Sequence, residues 1–164
     1  MPMISLPIMW IMILDVAAWG IFHMLISILC FRIPLRFFQR PSSYFTIAAW
    51  EDSGQLWQRL FAVKKWKAHL PDGASLFKFG YKKSALPGLD HANLQLFADE
   101  TKRAELTHGL SILPAPLFFI WNPVWAGWVM IGYALAFNLP FMIVQRYNRA
   151  RLQVLLVRRE SHQS

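Results

Sequence analysis

Residues 109–152 read GLSILPAPLFFIWNPVWAGWVMIGYALAFNLPFMIVQRYNRARL. Positions 109–144 carry no formal charge, and 145–152 then carry three arginines. A helix needs about 20 apolar residues, at 1.5 Å rise each, to cross a bilayer. The run therefore suffices for two short crossings if it turns in the middle. Trp121-Asn122-Pro123 is the natural breakpoint, because Asn and Pro favour a turn. Trp121, Trp125 and Trp128 suit the membrane interface around it. The pattern predicts a helical hairpin over about 104–120 and 124–145, closed by a basic stop. Pro114 and Pro116 remove backbone donors and should bend the first arm or shorten its regular part. Lys102 to His108 would then form its cytoplasmic entrance.

Working outward, residues 7–31, PIMWIMILDVAAWGIFHMLISILCF, hold a single formal charge, Asp15. That is one more crossing. It is longer than a signal-peptide core, and no basic side chain precedes it. Arg32, Arg36 and Arg40 follow it, so the N-terminus is expected outside and the C-terminus in the cytoplasm. The expected fold is an all-α integral membrane protein forming one membrane domain over 1–164. It has about three transmembrane helices (7–31, 104–120 and 124–145), an interfacial cytoplasmic segment at 32–103 and a basic tail at 146–164.

The net charge of +8 follows the same layout: twelve of the seventeen Lys and Arg residues lie within 32–103 and five within 146–159. Positive-inside topology and anionic phospholipids account for that distribution. Nucleic acid is not an expected partner, because the basic residues adjoin apolar runs and no recognition motif is present. Cys30 stands alone, which leaves no intramolecular disulfide and suggests a small buried hydrophobe. Within 32–103, RIPLRFF suits an interfacial turn. EDSGQLWQRLFAVKKWKAHL reads as a short amphipathic helix with Leu56, Leu60 and Val63 on one side. Pro71-Asp72-Gly73 should stop it, residues 74–90 look irregular, and HANLQLFADETKRAELTHGL leads as a helix into the apolar run.

Four polar features could carry chemistry. Glu105 and His108 are three positions apart and share a helical face at the predicted interface. The histidine suits a general base and the glutamate suits its orientation. The alternative is a surface Glu paired with Lys102 and an interfacial His. Gln145, Arg146, Tyr147, Asn148, Arg149 and Arg151 lie just below the returning helix. Guanidinium groups there could hold substrate phosphates or simply anchor lipid headgroups. Tyr147 and Asn148 exceed what anchoring requires. Lys64, Lys65, Trp66 and Lys67 could hold a headgroup or a nucleotide phosphate, or snorkel from an interfacial helix. Asp15, with His23 or Asn138 as partner, reads equally as glue between helices or as functional. HxxxxD, HExxH, GxGxxG and P-loop motifs are missing, as is a clustered Cys/His metal site. Three crossings are too few for a typical alternating-access transporter unless the chain forms a homo-oligomer.

RIP at 32–34 with Phe38, Trp57 with VKKWK at 63–67, and DG at 72–73 form an ordered set with later motifs. Those are ETKRAELTH at 100–108, SILP at 111–114, Asn138, Pro140, and VQRYNRARL at 144–152 with LL and two arginines at 155–159. In these the chain resembles the glycosyl-4,4'-diaponeurosporenoate acyltransferases of bacterial carotenoid biosynthesis. The resemblance covers about two-thirds of the chain and is poor in 1–31 and 74–99. It implies an O-acyltransferase of the bacterial cell membrane that esterifies a sugar hydroxyl of a glycosylated carotenoid acid or similar glycolipid. A fatty acyl thioester such as acyl-CoA would be co-substrate, with no resident cofactor and no metal. On that reading His108 deprotonates the acceptor hydroxyl and Glu105 orients it. Arg146, Arg149 and Arg151 bind donor phosphates, and Asn148 or Tyr147 donates to the developing oxyanion. The competing class is a non-enzymatic scaffold holding anionic lipid, or a membrane transferase of another kind.

Overall fold

The computed structural model describes residue 4 and residues 6–70 and 91–163. The expected stop at 71–73 and the irregular stretch at 74–90 lie outside the described residues. Regular structure among the described residues is helical throughout. In chain order it comprises α1 (Ile8–Arg32), α2 (Leu35–Gln39), a 3-10 turn (Ala49–Gly54), α3 (Gln55–Phe61), α4 (Val63–Trp66) and a 3-10 turn (Lys67–His69). Then follow α5 (His91–Ile112), a 3-10 segment (Ala115–Ile120) and α6 (Val124–Gln163). The chain forms two compact units, Met1–Ile33 with Leu106–Met142, and Pro34–Glu105 with Ile143–Ser164.

The first unit gathers the apolar runs. Among the described residues, two helices, α1 and the Val124–Arg158 part of α6, are long and apolar enough to cross a membrane. Between them α5 stops at Ile112, and a 3-10 segment carries the chain on to Ile120. Pro114 and Pro116 lack the amide hydrogens that a continued α-helix would require there. Ala18 and Trp19 of α1 pack with Ala115, Phe118 and Ala134. Trp19 stacks on Phe118 at 4.6 Å between ring centres, and its indole donates to Met130 Sδ at 3.4 Å. The 3-10 segment approaches α6 closely. A Cβ on Gly127 would lie 2.5 Å from the Phe119 ring, so only glycine fits without displacing that ring.

Asp15 is buried in this unit, and its partners are neither His23 nor Asn138. Trp121 Nε1 and Asn122 Nδ2 both donate to its Oδ1 at 2.7 Å. The turn residues therefore satisfy the carboxylate, because an unpaired carboxylate among apolar side chains is costly. Asp15→Ala should lower stability by about 1–3 kcal/mol by leaving the indole and amide donors unpaired. Asp15→Asn, which keeps an acceptor, should cost less. Thermal unfolding in detergent would compare them.

In the second unit the expected single amphipathic helix is broken twice. Ala62 adopts a left-handed conformation (φ 47, ψ 43) between α3 and α4. Side chains across the break stabilise it: Trp66 Nε1 donates to the Phe61 carbonyl at 2.6 Å, and the Lys64 amide donates to Gln58 Oε1 at 3.0 Å. At the other end, Gly54 has φ +87, and a Cβ on it would fall 3.1 Å from Ala150 Cβ and 3.3 Å from the Tyr147 carbonyl oxygen. Glycine is needed there both for its backbone and for the close approach to α6. Gly54→Ala should destabilise by at least about 1 kcal/mol, read as a lower unfolding midpoint.

Val63, Val144 and Tyr147 are buried together, with Trp57, Trp66 and Leu70 packed around them. A second cluster joins Leu94 and Ala98 of α5 to Leu152 and Leu156 of α6. This packing gives the basic C-terminal stretch a reason to stay helical. It continues α6 to Gln163, where a tail was expected from 146.

Candidate functional site

Arg146 and Arg149 lie one turn apart on α6, so both guanidinium groups leave the same face. Glu51 lies at the start of the 3-10 turn and Glu105 near the middle of α5. Both carboxylates and Arg149 are at most 1% exposed. Arg146 grips Glu51 through two donors: Nε to Oε2 at 3.0 Å and Nη2 to Oε1 at 2.5 Å. Its Nη1 donates to Glu105 Oε1 at 3.1 Å. Arg149 Nη2 donates to Glu105 Oε2 at 2.5 Å. The same two arginines also hold three successive backbone carbonyls: Tyr44 and Thr46 accept from Arg146, and Phe45 from Arg149 Nε at 3.0 Å. Glu51 is completed by the Ala48 amide at 3.0 Å and Trp57 Nε1 at 2.7 Å.

This is a charge-balanced buried network of two carboxylates and two guanidinium groups. It ties α5, α6 and the 42–51 stretch into one unit. A low-exposure network of this kind is stable only when nearly every donor and acceptor is matched. Burial alone would raise the Glu51 pKa. The Arg146 guanidinium, the Ala48 amide and the Trp57 indole outweigh burial and hold it below the ordinary 4.5. Its ionised form therefore contributes fully above about pH 4.5. That contribution is lost as pH falls through the lower folded value and protonation breaks the Arg146 contacts. Glu51→Gln should flatten the acid limb of the stability profile, measured as unfolding midpoint against pH.

The sequence-predicted site residues separate into distinct groups. Glu105 is engaged by both arginines, and Lys102 pairs instead with Asp99 at 2.9 Å and with the Phe38 carbonyl at 2.6 Å. Asn148 Oδ1 accepts from Lys67 Nζ at 3.1 Å, and the same ammonium lies 4.9 Å from the centre of the Tyr147 ring. An ammonium can only donate, so Asn148 must turn its oxygen toward Lys67, leaving its NH2 as a hydrogen-bond donor. Tyr147 is buried and Trp66 packs beside it. Lys64, Lys65 and Arg151 are exposed. Lys64 and Arg151 line one cleft of about 200 Å³ with Gly54, Gln55, Gln58, Arg59 and Tyr147.

His108 belongs to the other unit, where Asn138 is one of its partners. Its Nδ1 lies 3.0 Å from Asn138 Oδ1, and its ring stacks on Phe141 at 4.5 Å with planes 9° apart. Asn138 is itself fixed, because its Nδ2 donates to the Ala134 carbonyl at 2.9 Å. That carbonyl only accepts, so the Asn138 oxygen must face the imidazole. The neutral ring then carries its proton on Nδ1 and its lone pair on Nε2. A half-buried imidazole with a fixed plane and tautomer can act as a general base.

Two candidate site residues escape the sequence reading. The sequence places Glu51 only at the start of the amphipathic stretch, and offers Asn138 as a partner for Asp15 rather than for His108. The signal for Asn138 was present in the motif at Asn138 and Pro140; nothing local marks Glu51 as an arginine partner 95 residues away.

The family model for glycosyl-4,4'-diaponeurosporenoate acyltransferase matches residues 41–158, which include every residue of the arginine–carboxylate network and both His108 and Asn138. A protein of that description from Staphylococcus haemolyticus is 33% identical over 84% of this chain and 80% of its own length. One from Staphylococcus aureus (strain bovine RF122 / ET3-1) is 38% identical over 84% of this chain and 83% of its own. No solved structure matches. With the family model covering most of the chain, and relatives aligned over more than four-fifths of it, the chain belongs to the glycosyl-4,4'-diaponeurosporenoate acyltransferase family.

Proposed function

We propose that this chain transfers a fatty acyl group from a thioester to a sugar hydroxyl of a membrane-dissolved glycoside, a glycosylated carotenoid acid being the acceptor its relatives' name suggests. The observation that carries the reading is the His108–Asn138 pair. His108 Nε2 takes the hydroxyl proton as the sugar oxygen attacks the thioester carbonyl carbon. A C–O bond forms, the C–S bond breaks, and the proton passes from His108 to the leaving thiolate. Asn138 is a positioning residue that holds Nδ1–H, the part expected of Glu105. Glu105 instead neutralises Arg146 and Arg149. Asn148 lies in the second unit, where its contact with Lys67 leaves its NH2 as a hydrogen-bond donor.

The test of the reaction is mass spectrometry of lipids and pigments from cells with and without the intact gene. A product heavier by one fatty acyl group supports the reading; identical glycoside masses would end it.

For the membrane arrangement we propose three passages: α1, residues 106–120 and the start of α6, with the N-terminus outside. Support comes from the composition of the first unit, whose segments are these three apolar stretches. The Lys and Arg residues other than Arg32 lie in the second unit, consistent with cytoplasmic anionic phospholipid beside it. Trp125, 71% exposed at the proposed outer turn, offers a labelling position. In a Cys30→Ala background, Trp125→Cys should react with an impermeant maleimide added outside intact cells. Reaction only after lysis would reverse the orientation.

A further inference from the structure

The buried network uses Arg146 and Arg149 internally, and this moves the question of donor binding elsewhere. Both guanidinium groups are charge-matched by Glu51 and Glu105 and bonded to backbone carbonyls, and Arg149, whose Nη1 has no partner among the described residues, is 0% exposed, so neither is a ready anion receptor. Three other basic residues converge on a different place. Lys64 at the start of α4, Arg59 on α3 and Arg151 on α6 line one cleft, with Gln55 and Gln58 beside them.

The Asp52 carboxylate pairs with Arg59 at 3.4 Å in an exposed contact, which screening makes weak. Among the described residues, Lys64 and Arg151 have no carboxylate within bonding distance. The cleft's shape is set by the backbone. Gly54, with φ +87 and too little room for a Cβ against Ala150, brings the start of α3 onto α6. The left-handed Ala62 turns α4 so that Lys64 follows α3 directly. Gln58 Oε1 accepts from the Lys64 amide, so its NH2 remains as a further donor. Two forked guanidinium groups, one ammonium and an amide NH2 in a cleft of about 200 Å³ match the donor set that phosphate oxygens require.

We infer that this cleft binds the phosphate groups of the acyl donor, a nucleotide thioester of the coenzyme A type. The inference rests on the acyl-transfer reading for the donor's identity. The cleft's chemistry, that of a phosphate receptor, stands without it. A lipid phosphate headgroup shares that chemistry, and the experiment separates the two sources.

Full-length protein would be reconstituted in nanodiscs of zwitterionic lipid and titrated with coenzyme A. Lys64→Gln/Arg151→Gln is the test variant and exposed Arg40→Gln the control. Exposed, unpaired side chains are suitable changes, because their loss should leave the unfolding midpoint unchanged. The expected result is that coenzyme A binds the wild type and the control alike, and that the double variant binds at least tenfold more weakly with a shallower salt dependence. In acyl transfer, KM for acyl-CoA should rise by a similar factor while kcat at saturating donor holds. Equal coenzyme A affinity in wild type and double variant, or no binding by the wild type, would overturn the proposal.

A second arm measures association with phosphatidylglycerol vesicles. Loss there with unchanged coenzyme A binding would make the cleft a headgroup site and remove the donor assignment. If coenzyme A binding depends on the cleft but no glycoside is acylated, the acyl-transfer reading fails and the phosphate site stands. If acylation proceeds with unchanged KM in the double variant, the reverse holds.

Discussion

Replacing His108 by alanine is expected to lower kcat for acyl transfer by roughly 100- to 10,000-fold, the usual contribution of a positioned general base. The side chain is half-buried and stacked on Phe141, so some stability should be lost with it. His108→Gln, which retains a polar planar group near Asn138, keeps the activity result separable from folding. Comparable unfolding midpoints with activity still lost would support the base. Near-normal activity in either folded variant would remove it.

Asn138 provides a sharper readout. Asn138→Leu removes the acceptor for Nδ1–H, so kcat should fall with little change in KM for either substrate. Asn138→Asp restores an acceptor and should recover part of the rate. A packing role alone would not produce that recovery.

The second large effect is on folding. Glu105→Leu leaves Arg149, 0% exposed, and one donor of Arg146 without their carboxylate. Removing one partner of a buried ion pair typically costs about 3–5 kcal/mol, a large share of the stability of a small domain. The variant should show a strongly lowered midpoint or fail to accumulate. Adding Arg149→Met should return a substantial part of the loss, because the uncompensated buried charge is then gone. If Glu105→Leu unfolds like the wild type, the network is not holding the unit together. A double variant as unstable as the single one would instead place the cost in packing.

These expectations divide the polar residues by role more than their sequence positions did. ELTH and QRYNRARL stood out because polar residues beside an uncharged run are conspicuous. Their division of labour did not. Glu105 and His108 share a helical face, yet one carboxylate answers two arginines of α6 and the imidazole answers an amide 30 residues away. Lys64, Lys65, Trp66 and Lys67 are neighbours, yet Lys64 lines a cleft, Trp66 caps α3, and Lys67 holds Asn148. The break at Ala62 separates them, and alanine gives no local warning of a left-handed turn.

By itself, the sequence determined the helical class, the apolar character of α1 and α6, and the family, because these depend on composition and on ordered local motifs. Residues 145–152 were readable there as a charge boundary. Only the tertiary structure decided that Arg146 and Arg149 are matched internally while Arg151 is left for the cleft, and that Asp15 is satisfied by Trp121 and Asn122. The physical reason is that local sequence reveals which groups need partners. Which partner each finds is set by contacts between segments tens of residues apart, where burial makes an unmatched charge too costly to leave.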